Sequence, residues 1–155
     1  MFIGHLPAGY LLARGLRATG VSRALAVGVL FGSIAPDVDM LWWAFVDSSV
    51  HHHTFITHRP AVWVAVLVVG LLTRSHGLLG AGIGGVLHMA LDSIAGAIAW
   101  GWPVWTDGAP LVVVPATQDH WVLSFLVHWT FRVEIAIVCV AAVVLVLGWR
   151  RGRLL

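Results

Sequence analysis

The sequence predicts an all-α fold, a polytopic integral membrane helical bundle of about four to five helices with a re-entrant or interfacial loop. Three observations predict it. Only 10% of the residues are charged and none is Lys, whereas soluble domains carry about 25% charged residues. The mean hydropathy is +0.92. The 155 residues divide into apolar segments with short polar connections, which indicates a single membrane-embedded domain over residues 1–155.

Five apolar segments account for most of the chain. They cover residues 2–18, 23–46, 60–74, 77–100 and 121–149. The second contains Pro36, which removes a helical hydrogen bond and predicts a break. The third begins at Pro60 and would reach only about 21 Å, less than the roughly 30 Å of a hydrocarbon core. Residues 101–120 contain an apolar stretch too short to span, which predicts the re-entrant or interfacial loop.

Arginine placement predicts the orientation and excludes one class of partner. The arginines lie between apolar segments and form no basic patch, which argues against a nucleic-acid partner. Alternation of the segments brings most arginines to one face, and the positive-inside rule makes that face cytoplasmic. The N-terminus would then lie outside and the C-terminus inside, with membrane lipids around the helices.

Asp37 and Asp39 interrupt the second apolar segment. A carboxylate at membrane depth costs about 2.5 to 3.5 kcal/mol even on the lenient insertion scale, so two of them require a compensating cation. On a regular helix they would point to different faces, but the break at Pro36 lets both turn toward one centre. The alternative is a simple helix break whose solvated aspartates cap the second helix.

His88 and Asp92 are four residues apart in the fourth segment and therefore share a helix face. An imidazole and a carboxylate in an apolar helix suit a metal ion. The alternative is a buried hydrogen-bonded pair that joins two helices.

Four histidines precede the third segment: His51, His52, His53 and His58. A loop of this kind can donate two neutral imidazoles to a metal ion. We expect His53 and His58 to be the ligands, with His51 and His52 in reserve, and the alternative is a solvated loop. His5 is isolated, and by itself it is more typical of a packed or interfacial residue.

Together with His5, these groups exceed the four ligands of a closed structural zinc site. They fit a binuclear site with open positions for water and substrate. Because the set contains no sulfur, zinc is favoured, and its high share of carboxylates leaves manganese or iron as alternatives.

Four motifs occur in a distinctive order over residues 4–115, ending in a proline-containing loop. They are Gly4-His5, Pro36-Asp37-Val38-Asp39, His53-x-x-x-Thr57-His58 and His88-x-x-x-Asp92. This order resembles a family of bacterial inner-membrane proteins classed as metal-dependent hydrolases, some of them described as LexA-binding. More distantly, the ligand types are similar to those of zinc-dependent phospholipase C. The resemblance implies that His5 is also a ligand and that the protein is a multi-pass protein of the inner membrane.

The leading hypothesis is a metal-dependent hydrolase, a phosphoesterase that acts on a lipid or lipid-linked substrate. Its metal ligands would be His5, Asp37, Asp39, His53, His58, His88 and Asp92. Asp39 is also the candidate acceptor for the proton of the attacking water, and Thr57 would orient a ligand. Arg59 would bind an anionic phosphate. The orientation above places this site in the extracytoplasmic half of the membrane.

The rival hypothesis is a non-catalytic metal-binding protein, either a transporter or a sensor, because intramembrane carboxylates and histidines also mark ion pathways. A transporter often has repeated halves that each contain a broken helix. Here only the second segment is visibly broken, which favours an enzyme. A purely structural metal is a third reading, and the sequence leaves the oligomeric state open.

Overall fold

The computed structural model describes residues 3–47, 49, 51–152 and 154–155, and this part of the chain is all-helical, as predicted. Its α-helices are α1 His5–Ala18, α2 Arg23–Gly32, α3 Asp39–Phe45, α4 Pro60–Leu72, α5 His76–Asp92, α6 Trp121–Val127 and α7 Trp129–Arg150. Short 3₁₀ turns lie at Ala35–Val38, between α2 and α3, and at His52–Thr54 and Ile56–His58, before α4.

The predicted break in the second apolar segment is present. The helical stretches Arg23–Gly32 and Ala35–Phe45 meet at an angle of 47°, and Pro36 lies in the 3₁₀ turn that begins the second stretch. Proline has no N–H to donate and its ring crowds the preceding turn, so a continuous α-helix cannot pass through this point. The bend turns the chain where the two aspartates of the second segment lie.

Two predicted segments are shorter as helices than expected. The fourth ends at Asp92 rather than near Trp100, where the following loop folds back and Leu111 N donates to Ser93 O at 2.8 Å. The fifth divides at His128, whose extended backbone separates α6 from α7. The predicted loop therefore lies over the C-terminal end of α5.

Span length is the point on which the structure departs from the predicted bundle. Within the described residues, α7 alone has the length and composition of a membrane span, and the bent stretch from α2 to α3 adds a second if it is counted as one broken span. Helices α1, α4 and α5 have 14, 13 and 17 residues, or about 20 to 26 Å. Four to five spans are therefore not supported by helix length, because proline residues and tight turns end the helices inside the apolar segments.

Glycine contacts bring α2 and α5 together at the centre of the bundle. A Cβ atom at Gly32 would lie 2.0 Å from Ala81 O, and one at Gly84 would lie 2.2 Å from Val29 O. The two backbones leave no space for a side chain at these points, a packing typical of small residues between membrane helices. Helix α4 also packs on α5, while α1 packs on α2 and α7 on α1.

Gly84→Ala should lower the stability of the protein by about 1 to 3 kcal/mol, the usual cost of forcing extra atoms into a packed interface. Gly77→Ala, in the same helix, is the matched control, because a Cβ atom there meets nothing within 4 Å. That control should be neutral or stabilising, since Gly in a helix costs about 0.5 to 1 kcal/mol relative to Ala. Thermal unfolding in detergent measures both variants, and equal melting temperatures would contradict the close α2–α5 contact.

Candidate metal centre

The fold brings seven predicted site residues to one end of the bundle. His5 is the first residue of α1, and His88 and Asp92 lie in the last turns of α5. Asp37 belongs to the 3₁₀ turn before α3 and Asp39 is the first residue of α3. The remaining two, His53 and His58, are supplied by the 3₁₀ turns that precede α4.

Asp92 is the common neighbour of four histidines. Its Oδ1 lies 3.0 Å from His5 Nε2, and its Oδ2 lies 3.0 Å from His88 Nε2. The same Oδ2 is 3.4 Å from His58 Nε2 and 3.6 Å from His53 Nε2. One buried carboxylate therefore meets imidazole nitrogens from α1, α5 and the loop before α4.

Asp37, which comes from a different segment of the chain than Asp92, contacts three of the same histidines. Its Oδ2 lies 3.4 Å from His5 Nδ1. Its Oδ1 lies 3.5 Å from His88 Nε2 and 3.7 Å from His58 Nε2. The rings of His5 and His88 stack with their centroids 3.7 Å apart. The bend after α2 therefore places the Asp37 carboxylate against a closely packed group of imidazoles.

Two outer contacts set the orientation of the central imidazoles. His88 Nδ1 donates to Ser33 O at 2.8 Å, and His58 Nδ1 donates to Asp39 Oδ2 at 2.6 Å. A carbonyl or carboxylate oxygen can only accept, so both Nδ1 atoms carry hydrogen. The Nε2 atoms then face the cluster, where both are buried and make no hydrogen bond of good geometry with any described residue. Such a pairing of the outer nitrogen is typical of histidines that bind metal.

Asp39 lies behind His58 relative to the rest of the cluster. Its Oδ2 accepts hydrogen bonds from His58 and from Thr57 Oγ1. The Thr57 carbonyl in turn accepts from Trp63 Nε1 at 2.8 Å. Asp39 is thus placed to orient an imidazole, with Thr57 as its support.

The histidine loop contributes a third set of nitrogens. Burial lowers the pKa of His53 to about 3 and that of His52 to about 4, so both imidazoles are neutral and each offers a lone pair. Burial also disfavours the charged form of His58, but its contacts with three carboxylates outweigh that effect and raise its pKa to about 10. The carboxylates therefore favour a cation at this position. His51 differs, since its exposed ring accepts from His53 N at 3.2 Å.

In the part of the chain that the structure describes, three overlapping groups have donor atoms that lie within 4.8 Å of one another. They are His5, His88 and Asp92; Asp37, His58 and His88; and His52, His53 and His58. Ligands at roughly 2.0 to 2.2 Å from a zinc ion are at most about 4.4 Å apart, so small side-chain adjustments suffice for coordination. Imidazole nitrogens and carboxylate oxygens suit a divalent ion, and these buried groups could hold one.

Arg59 is placed differently from the predicted ligands. Its guanidinium donates to Thr54 O, which ties it to its own loop beside His58. Asp107, Asp119 and His120 are exposed in the region after α5, and the ring of His120 caps α6 by accepting from Val122 N.

Three features that support the site were not predicted from the sequence. The Ser33 carbonyl orients His88 through a backbone atom, which no sequence pattern reveals. His52 was held in reserve, yet it shares a ligand group with His53 and His58. Gly96 makes room for His53, since a Cβ atom there would lie 2.4 Å from His53 Cε1. The only available signal for Gly96 was its place shortly after the His-x-x-x-Asp motif.

No protein-family model, no curated protein and no solved structure matches the chain. The chemistry of the cluster must therefore be inferred from its own geometry.

Proposed function

We propose that the protein is a membrane-bound metal-dependent hydrolase that cleaves a phosphoester of a lipid or lipid-linked substrate. One observation carries the proposal: three overlapping ligand groups meet around Asp37, His58, His88 and Asp92. This set offers more nitrogen and oxygen donors than one closed structural ion requires. Such an excess of ligand atoms, next to the partly exposed carboxylate of Asp37, is expected of a metal site that also binds water and a substrate.

The direct ligands are histidines from α1, α5 and the loop before α4, together with two aspartates. They are His5, Asp37, His53, His58, His88 and Asp92, with His52 added from the loop. Zinc is the ion we propose first, and two ions fit the number of donors. A divalent ion held there would supply Lewis-acid chemistry, activating water as a nucleophile and neutralising charge on a phosphoryl group.

We assign Asp39 to positioning His58, because both residues that contact its Oδ2 come from the loop before α4. Its sequence-based roles as a direct ligand and as proton acceptor are therefore the less favoured alternatives. Arg59 follows His58 directly and is retained as the candidate phosphate-binding residue, since a guanidinium offers paired donors to phosphate oxygens.

A membrane location is supported by what the helices expose. Large apolar side chains are exposed on every α-helix of the described chain, with Phe31 at 61% and Leu72 at 79%. The interior, in contrast, contains fully buried His58, His88 and Glu134. Apolar groups outside and polar groups inside are favourable in lipid and unfavourable in water. We therefore propose a multi-pass protein of the bacterial inner membrane, whose short helices require local thinning of the bilayer.

The direction of the helices supports an extracytoplasmic site. The cluster lies where α1 begins and α5 ends, whereas Arg17 lies in the last turn of α1, Arg23 begins α2 and Arg150 ends α7. These arginines and the cluster therefore occupy opposite ends of the bundle, and Arg59, beside the cluster, is an exception. The positive-inside rule then places the cluster toward the outer face.

Purified protein should contain about two divalent metal ions per chain, zinc first, because the site has more donor atoms than one ion coordinates. His53→Ala should remove about one of them, since His53 belongs to one of the three ligand groups. Gly96→Ala should do the same, because its Cβ atom would displace the His53 ring. Elemental analysis of protein and matched buffer measures all three.

The control is His120→Ala, which alters an exposed histidine outside the cluster and should leave the metal content unchanged. Wild-type protein that contains no metal and takes up none when zinc is added would refute the proposal.

A further inference from the structure

An apolar groove lies beside the candidate metal centre. It has a volume of about 560 Å³ and runs along the bend between α2 and α3, with α4 as its far wall. Its apolar walls include Phe31, Ile34, Val38, Leu41 and Trp63. Asp37 and Thr57 also line it, so the groove and the cluster share a boundary.

Asp37 is the residue through which the groove reaches the cluster. Its side chain is 29% exposed, which makes it the most open of the seven site residues, followed by His53 at 13%. His5, His58, His88 and Asp92 are each 4% exposed or less. Asp37 is therefore the site residue most accessible to a reactant, and the groove surface beside it is apolar.

The far wall of the groove is held in place by the same contacts that support the site. Trp63 Nε1 donates to Thr57 O at 2.8 Å. The ring of Trp63 lies on Gly85 of α5, where a Cβ atom would be 2.1 Å away. Trp63 is thus held in place on both sides, and this wall is connected through Thr57 to Asp39.

We propose that this groove binds the single apolar chain of the substrate and directs its phosphate head toward Asp37 and the cluster. The inference rests on the proposed function and narrows its substrate to an amphiphile with one apolar chain and a phosphoester head. A volume of about 560 Å³ is within the range of roughly 300 to 1,000 Å³ filled by one small ligand. The described lining contains no basic residue, so the anionic head is neutralised at the cluster and only the chain occupies the groove.

The test uses a series of n-alkylphosphonates, from methyl to dodecyl, whose carbon–phosphorus bond resists hydrolysis. Binding to zinc-loaded protein in nanodiscs of a zwitterionic lipid is measured by titration calorimetry. For wild type, affinity should rise with each methylene that enters the groove, by up to about fourfold per methylene. Leu41→Trp, which places a larger side chain in the groove, should flatten this dependence and leave methylphosphonate binding unchanged.

Leu72→Trp is the matched control, because Leu72 is 79% exposed at the end of α4 and does not line the groove. It should retain the wild-type dependence on chain length. Ile34→Ala, which shortens a wall side chain, should weaken long-chain binding and reports independently if the tryptophan variant is unstable. Melting temperature and zinc content, measured for every variant, show that the fold and the site are intact.

An equal dependence on chain length in wild type, Leu41→Trp and Leu72→Trp would overturn the groove assignment and leave the proposed hydrolase in place. A different result, in which zinc-loaded protein binds no phosphonate of any length, would overturn the proposed function itself. A steep dependence in wild type and in Leu72→Trp, with a flat one in Leu41→Trp, establishes the groove as the chain-binding site.

Discussion

His88→Ala should remove nearly all bound metal and abolish metal-dependent hydrolysis of phosphoesters. His88 belongs to two of the three ligand groups, and its Nε2 lies 3.0 Å from Asp92 Oδ2 and 3.5 Å from Asp37 Oδ1. Asp37 and Asp92 share three imidazoles, and loss of His88 would remove the one of these three that belongs to two ligand groups and comes from the same helix as Asp92. A buried polar group that loses its partner typically costs about 1 to 3 kcal/mol, and loss of the metal ion, which binds only the native state, lowers stability further. The melting temperature should therefore fall together with the metal content.

His76→Ala is the control for this variant, because His76 lies in the same helix but is exposed at its first turn. It should retain the wild-type metal content and melting temperature. Phosphate release from lipid and soluble phosphoesters, measured with the metal content of each sample, reports the reaction. Full metal content in His88→Ala would contradict the shared site. Zinc flux into liposomes, without turnover of any phosphoester, would instead identify a transporter.

Asp92→Asn and Asp39→Asn should differ in a way that separates a ligand from a positioning residue. Asp92 contacts four histidines directly, so loss of its charge should reduce metal affinity by more than 100-fold, beyond the range of about 10- to 100-fold typical of supporting residues. Asp39→Asn keeps an oxygen that can accept from His58 Nδ1. Its metal affinity should therefore fall only within that range, with metal restored at high zinc concentration.

The two variants are isosteric, so differences between them reflect charge and contacts rather than volume. Zinc affinity is measured by competition with a chelator of known strength. Asp47→Asn is the control, because Asp47 is an exposed residue after α3 and should have no effect. If Asp39→Asn loses zinc as completely as Asp92→Asn and cannot be reloaded, Asp39 is a direct ligand, as the sequence alone predicted.

Local features of this fold and site follow from the sequence because they depend on neighbours along the chain. Pro36 cannot continue a helical hydrogen-bond ladder, so the bend before Asp39 was foreseeable. His88 and Asp92 share a face because four residues make about one helical turn, and both meet at the cluster. The low charge and high hydropathy predicted an all-helical protein, and the described chain is all-helical.

Other features were decided by the tertiary structure, because they depend on contacts between distant segments. Helix α5 ends at Asp92, where the backbone N–H groups of residues 111 and 112 donate hydrogen bonds to the carbonyls of residues 93 and 94. No local sequence pattern indicates that the chain folds back to this point. The sequence favoured His53 and held His51 and His52 in reserve, and only the path of two 3₁₀ turns brings His52 into a ligand group with His53 and His58. The glycine contacts of α2 and α5 set the distance between Ser33 and His88.

The sequence by itself determined the helical class, the order of the candidate ligands and the bend just before the two aspartates, because helix periodicity and proline geometry act over a few residues. The tertiary structure decided which imidazoles converge, why Asp39 stands behind His58, and where the apolar groove meets Asp37. It also ended several helices before spanning length. These properties arise where α1, α2, α4 and α5 pack against one another. That arrangement is stabilised by contacts between residues that are far apart in the chain.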